Sequence, residues 1–301
     1  TATDVIDAGG NSAVAVTGVA GKDTLTASGA IGTVVTAMAP QISNVETIQF
    51  TNGGSDVYLD VSSITDASSI AFSASSGTTT VTNIAADSTI GLGIVAAELV
   101  GTLSATLADE TGTADAITLA YSTGTDTSGT TVVKTAGIET VNITATSESG
   151  SATTQTITST NMAATNLVVT SGQVADTLAL GTLNVATSNV DAGAYKGILT
   201  MAAGTGTAMT VSALGGVANT ITGSTGSDTV TLMGKLGTAI NISDASTGTL
   251  DTLNATADNA STDFTSVAGY ETINLTITNG AAAGFDDATK TDGLMLATKV
   301  N

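Results

Sequence analysis

One phrase recurs along the chain and limits what it can fold into. It reads ISNVETIQFT from Ile42 to Thr51, AGIETVNIT from Ala136 to Thr144 and AGYETINLT from Ala268 to Thr276. The shared core is Glu-Thr-aliphatic-Asn/Gln-aliphatic-Thr. Three of the chain's six glutamates fall in it, far more than chance matching among its many threonines would place there. A period of two puts Ile48 and Phe50 on one face of a strand, with Thr47, Gln49 and Thr51 on the other. Val141 with Ile143, and Ile273 with Leu275, repeat the pattern. Each phrase therefore predicts a half-buried strand. An aspartate precedes each one by a short interval: Asp23 leads to Glu46, Asp115 to Glu139 and Asp251 to Glu271, over 23, 24 and 20 residues. Those intervals match one repeat of a solenoid.

The aspartates carry a second motif. GVAGKDTLT, from Gly18, and GSTGSDTVTL, from Gly223, share the skeleton Gly-x-x-Gly-x-Asp-x-aliphatic. This is one position short of the nonapeptide Gly-Gly-x-Gly-x-Asp-x-aliphatic-x of calcium-binding solenoids, with Ser224 at the second glycine position. The glycines are expected to supply the positive φ angles of a tight turn. Turn carbonyls and the carboxylate offer hard oxygen ligands of the kind calcium takes. Looser copies surround Asp56 (GSDVYLD), Asp115 (TADAITLA), Asp176 (QVADTLAL) and Asp251 (GTLDTLNA). Each repeated acid except Asp56, which precedes Tyr58, stands two residues before an aliphatic one, so strand parity puts it on the inward side at the strand's entrance. An uncompensated inward carboxylate costs several kcal/mol, so each needs a turn amide, a corner hydroxyl or a metal ion. The aspartates point towards calcium, and Glu46, Glu139 and Glu271 towards corner hydrogen bonds. A plain surface turn before a strand gives the same Gly-x-Asp pattern, and that alternative stays open.

The rest of the composition agrees with an all-β chain. Among 301 residues 42% are apolar, but only 3% are aromatic, with no Trp and one proline. The core must be built from Ala, Val, Leu and Ile, and Thr and Val favour strands. The expected fold is an irregular right-handed parallel β-helix, or β-solenoid, with tandem β-sandwiches as the alternative. Residues 1–301 read as a single elongated domain. The abrupt Thr/Ala-rich start is what a mature or trimmed chain, or a fragment of a longer one, would show. Helix is scarce, and Ile94 to Leu103 is the best candidate. Periodicity fades over 281–301, which reads as a terminal or subunit-contact segment.

Charge narrows the partners. The formal net charge is −20, from 26 acids against six lysines, with neither Arg nor His. Nucleic acid is an unsuitable partner, because phosphate contacts need cationic side chains. Anionic lipid is unsuitable for the same reason, and no run of about 18 apolar residues predicts membrane insertion. With no cysteine, disulfides give no reading of the compartment. Cation binding is the natural use of the excess acid, beside simple solubility.

Taken together, GKDTLTASG, GIETVNITAT, GSTGSDTVTL and YETINLTI resemble the repeats of bacterial surface-layer proteins, of the calcium-binding, RTX-related type typified by those of Caulobacter and Campylobacter. The resemblance in style covers nearly the whole chain, while the nonapeptide is specific at two places. It implies export to the cell surface, a β-solenoid body, bound calcium and assembly into a lattice. On it, Gly18, Gly21, Asp23, Gly223, Gly226 and Asp228 match calcium-turn positions. No uninterrupted run of nonapeptides exists, so the resemblance implies scattered ions and not one in every turn.

The expected function is that of a structural, self-assembling, secreted surface protein whose lattice is stabilised by calcium. It would partner itself and cell-surface polysaccharide. A subunit of an extracellular filament, or an adhesin-type solenoid, is the alternative. An adhesin face usually carries aromatic and Arg anchors, and four Tyr, four Phe and no Arg supply few. An enzyme is not expected: there is no His, Cys or Arg, the six lysines are scattered, and the acids form no isolated pair with aromatic platforms for glycoside hydrolysis.

Overall fold

The computed structural model describes residues 3–5, 15–17, 24–28, 41–43, 47–51, 56–64, 69–73, 77–85, 91–95, 101–123, 130–147, 154–171, 176–205, 208–214, 218–235, 240–244, 250–258, 267–278 and 299–300. All its regular elements are strands, and every strand pairing is parallel. Alternate strands go to alternate sheets. One sheet has 14 strands and runs from Thr3–Val5 to Lys299–Val300, the other has 10 and runs from Val57–Asp60 to Val267–Ala268, and Ala15–Thr17 pairs with Gln41–Ser43 apart from both. This is a β-solenoid, in which each turn of chain lays one strand on each sheet beside the strand of the turn before. The parallel ladders exclude the β-sandwich. The region 94–103 is not helical where it is described: Gly91–Val95 and Thr102–Leu107 are strands. Leu92 and Ile94 extend the ladder column of Ile70 and Phe72, so a run that looks helical in isolation is held extended by its neighbours.

The acid-to-acid intervals are rung lengths. Thr24 pairs with Thr47, Ala116 with Thr140 and Thr252 with Thr272, each residue directly following one of the paired acids. The aliphatic residues two places after Asp115, Glu139, Asp228, Asp251 and Glu271 stack into one column with those of the rungs between them. Ile117, Val141, Leu167, Val190, Val211, Val230, Leu253 and Ile273 follow one another in register, and all are buried. Ile48, Ile143 and Leu232 are buried as their parity requires, and Leu25 and Phe50 hold the matching register positions beside Ile48 and Phe72. Truncating one rung of such a column, as in Leu253→Ala, should cost about 2–5 kcal/mol.

The outward positions carry polar ladders. Asn254 Nδ2 donates to Thr231 Oγ1 at 3.1 Å, and Asn274 Nδ2 donates to Asn254 Oδ1 at 2.9 Å. Asn274, the Asn of the last copy of the recurring phrase, is thus an inter-rung link. Residues 281–298, and with them nearly all of the expected terminal segment, lie outside the described residues.

Candidate metal centre

The corner leading into the longer sheet holds five of the repeated acids in a second column, while Asp56 and Asp176 lead into the shorter sheet. Asp115 and Glu139 stand one rung apart in it, and further along so do Met209, Asp228, Asp251 and Glu271. Four of these acids take the backbone N–H of the residue one rung below. Glu139 Oε2 accepts from Asp115 N at 2.9 Å, Asp228 Oδ1 from Met209 N at 2.7 Å, Asp251 Oδ1 from Asp228 N at 2.7 Å and Glu271 Oε2 from Asp251 N at 2.8 Å. Each backbone amide at this bend would otherwise point at a corner with no strand partner, so the carboxylate stands in for a ladder carbonyl. Glutamates and aspartates share this role. Asp228 and Asp251 are fully buried and Asp115 nearly so.

At the far end of the solenoid the corner becomes richer in acid. The turn Gly223 to Asp228 joins Thr220–Thr222 to Thr229–Lys235. Ser224 folds back on Asp228: its N–H donates to Oδ2 and its hydroxyl donates to Oδ1 at 3.0 Å, while Gly226 N–H donates to Ser224 Oγ at 2.8 Å. The serine at the second glycine position is therefore a functional part of the turn. One rung on, Asp244 follows Asn241–Ser243 and lies in register above Gly223, which donates its N–H to Ser243 O at 2.8 Å. The rung after that places Gly269 over Asp244.

Asp244 is thus enclosed by two glycines, for two reasons. A Cβ on Gly223 would run into the Asp244 carboxylate and would stand 2.7 Å from Asp228 Oδ2. Gly269 has φ of +87° and would clash with the Asp244 backbone O at 2.5 Å. The expectation of positive φ in the Gly223 turn is corrected here: among the described glycines only 137, 181, 234 and 269 adopt it. Gly223 is needed for close approach instead.

The result is a three-carboxylate cluster. One oxygen from each of Asp228, Asp244 and Asp251 lies within 4.8 Å of the other two. Three carboxylates this close repel strongly when ionised, and a shared cation offsets that repulsion. The cluster has the donor chemistry to hold a hard metal ion. Tyr270 sits on the next rung between Gly269 and Glu271. It is 2% exposed, and its hydroxyl has no hydrogen-bond partner. Burial pushes its phenol well above its ordinary ionisation range, and the charges of Asp244, Asp228 and Asp251 push it further.

The other sequence candidates are placed differently. Asp56 Oδ1 accepts from Thr78 N at 2.7 Å at the other corner. Asn219 Oδ1 does the same for Leu199 N at 2.8 Å, a corner role for an uncharged side chain. Asp176 is buried near Tyr195, whose phenol is raised by burial and by that aspartate. Asp115 is wrapped by its own turn, where a Cβ on Gly112 would strike its carboxylate. None of these three aspartates joins a group of three metal-ligating side chains among the described residues. Gly18, Gly21, Asp23 and Glu46 lie outside the described residues. Asp244 was missed from sequence because in ISDAST no aliphatic residue stands two places after the acid. The register of the rungs would have revealed it, since it falls one rung above Gly223.

Comparison of the chain with protein-family models, with curated proteins and with solved structures gave no match. The class is therefore defined by fold and corner chemistry: a parallel β-solenoid with an acidic cluster able to hold a metal ion.

Proposed function

We propose that the chain is a structural, self-assembling protein of the bacterial surface-layer kind, secreted to the cell exterior and stabilised by calcium, with Asp228, Asp244 and Asp251 forming one calcium site. The observation that carries this reading is the convergence of three carboxylates from two successive rungs. Such a site binds a cation only when the rungs are stacked, so binding adds to folding by mass action. Calcium suits it better than magnesium, which demands octahedral geometry and gives up water reluctantly.

Charge supports the assembly part of the reading. Chains at −20 repel one another, and bound divalent cations lower that barrier to close packing. The composition leaves catalysis without His, Arg or Cys, which favours a structural role over an enzymatic one.

The test is light scattering of the purified chain against calcium, magnesium and sodium chloride at matched ionic strength, with images of the product. Calcium alone should drive assembly, into a sheet on the lattice reading or a fibre on the filament alternative. Equal assembly in sodium chloride would mean that charge screening suffices, and would overturn the calcium reading.

A further inference from the structure

Two copies of the recurring phrase form the same corner and differ at one buried position. In AGIET, Gly137 has φ of +62° and Glu139 Oε2 accepts the N–H of Asp115. In AGYET, Gly269 has φ of +87° and Glu271 Oε2 accepts the N–H of Asp251. Between glycine and glutamate stands Ile138 in the first copy and Tyr270 in the second, each 2% exposed. The third copy has Val45 there. The slot is thus an aliphatic one that accepts a tyrosine in a single copy.

That copy is the one beside the three carboxylates. The Ile138 corner has no such cluster among the described residues. Placing a phenol in an aliphatic slot leaves a buried hydroxyl without a partner, which is costly unless a ligand takes it up. Tyr270 follows Gly269, which lies in register over Asp244, and precedes Glu271, which lies one rung above Asp251. Gly269 fixes the approach of this residue by seating directly on the Asp244 backbone.

We propose that the hydroxyl oxygen of Tyr270 is a neutral ligand of the cation held by Asp228, Asp244 and Asp251, closing the site from the next rung. This rests on the metal reading of the cluster given above. The phenol keeps its proton and offers a lone pair, so it adds an oxygen without adding charge. The site then draws on three successive rungs.

The probe is terbium(III), a luminescent stand-in for calcium that tyrosine sensitises. The chain suits it, with four tyrosines and no tryptophan. Wild-type protein should show saturable tyrosine-sensitised emission that calcium displaces. Tyr270→Phe should lose most of that emission and bind calcium roughly tenfold to a hundredfold more weakly by calorimetry. Thermal melts give a second readout with opposite signs. In chelator, Tyr270→Phe should melt at or above wild type, because it removes an unpartnered buried hydroxyl. In calcium it should melt below wild type. Tyr195→Phe, which also removes a partnerless buried hydroxyl, should show no such reversal. If Asp244→Asn abolishes binding while Tyr270→Phe keeps wild-type affinity and emission, the tyrosine proposal falls and the cluster stands. If neither calcium nor terbium binds the wild-type chain, both fall.

Discussion

The backbone N–H of Asp228 donates to Oδ1 of Asp251, one rung further along, at 2.7 Å. Asp251 thus serves two roles at once: it ends the ladder for the rung below, and it supplies one oxygen to the three-carboxylate cluster. Substitutions at this corner separate the two roles according to what the new side chain keeps.

The ladder role should depend on an acceptor, not on a charge. Glu139→Gln keeps an oxygen for the Asp115 N–H and should leave stability nearly unchanged. Glu139→Ala removes it and should cost about 1–3 kcal/mol, the usual price of an orphaned buried group. Urea unfolding in chelator measures both. Equal losses for Gln and Ala would show that the charge itself is what matters.

The cluster role should reverse sign with calcium. Asp244→Asn removes one of three mutually repelling charges, so in chelator the variant should be at least as stable as wild type. In calcium it should be less stable, because a ligand charge is gone. Melting curves under the two conditions decide this, and a variant that falls below wild type in both would contradict a repulsive apo cluster.

Gly223→Ala should act through space and not through backbone strain. The new methyl would press on the carboxylates of Asp228 and Asp244. The variant should fold, yet lose most of its calcium-dependent gain in melting temperature. A gain equal to that of wild type would mean the cluster rearranges freely around a side chain.

Asp60 offers a test in acid. The Asn83 side chain, and then the Ser62 hydroxyl and N–H, hold its carboxyl below the ordinary value of 3.8. A depressed folded value means that this contribution is present above the unfolded range and is lost as pH falls through the folded one. NMR titration of Asp60 should give a midpoint below 3.8, and Asn83→Ala should move it back up.

Much of this architecture was legible before the fold was known, because the repeated acids set the phase of the rungs that carry them. An acid two places before an aliphatic residue marks both the corner and the core column, and Asp115 with Ile117 and Asp251 with Leu253 behave as that spacing requires. Two things were hidden for a physical reason. Asp244 belongs to the cluster by stacking over Gly223, and stacking depends on the lengths of the intervening turns, which vary from rung to rung. Ile94 to Leu103 suggested a helix because local apolar spacing cannot register the strands that flank it. The role given to the Gly223 turn also changed: space for a neighbouring carboxylate, not a left-handed bend, is what excludes a side chain.

The alternation of strands between the two long sheets has one more consequence. Among the described residues each strand of the two long sheets pairs only with its neighbours in the stack, and Asn189 lies beside Thr210 at the same step of the ladder. Cutting out 189–209 would join Ser188 directly to a residue already phased to follow it. Contour length is therefore a variable that gene duplication and deletion can change one rung at a time, so that an ancestor could lengthen or shorten the rod without redesigning its cross-section.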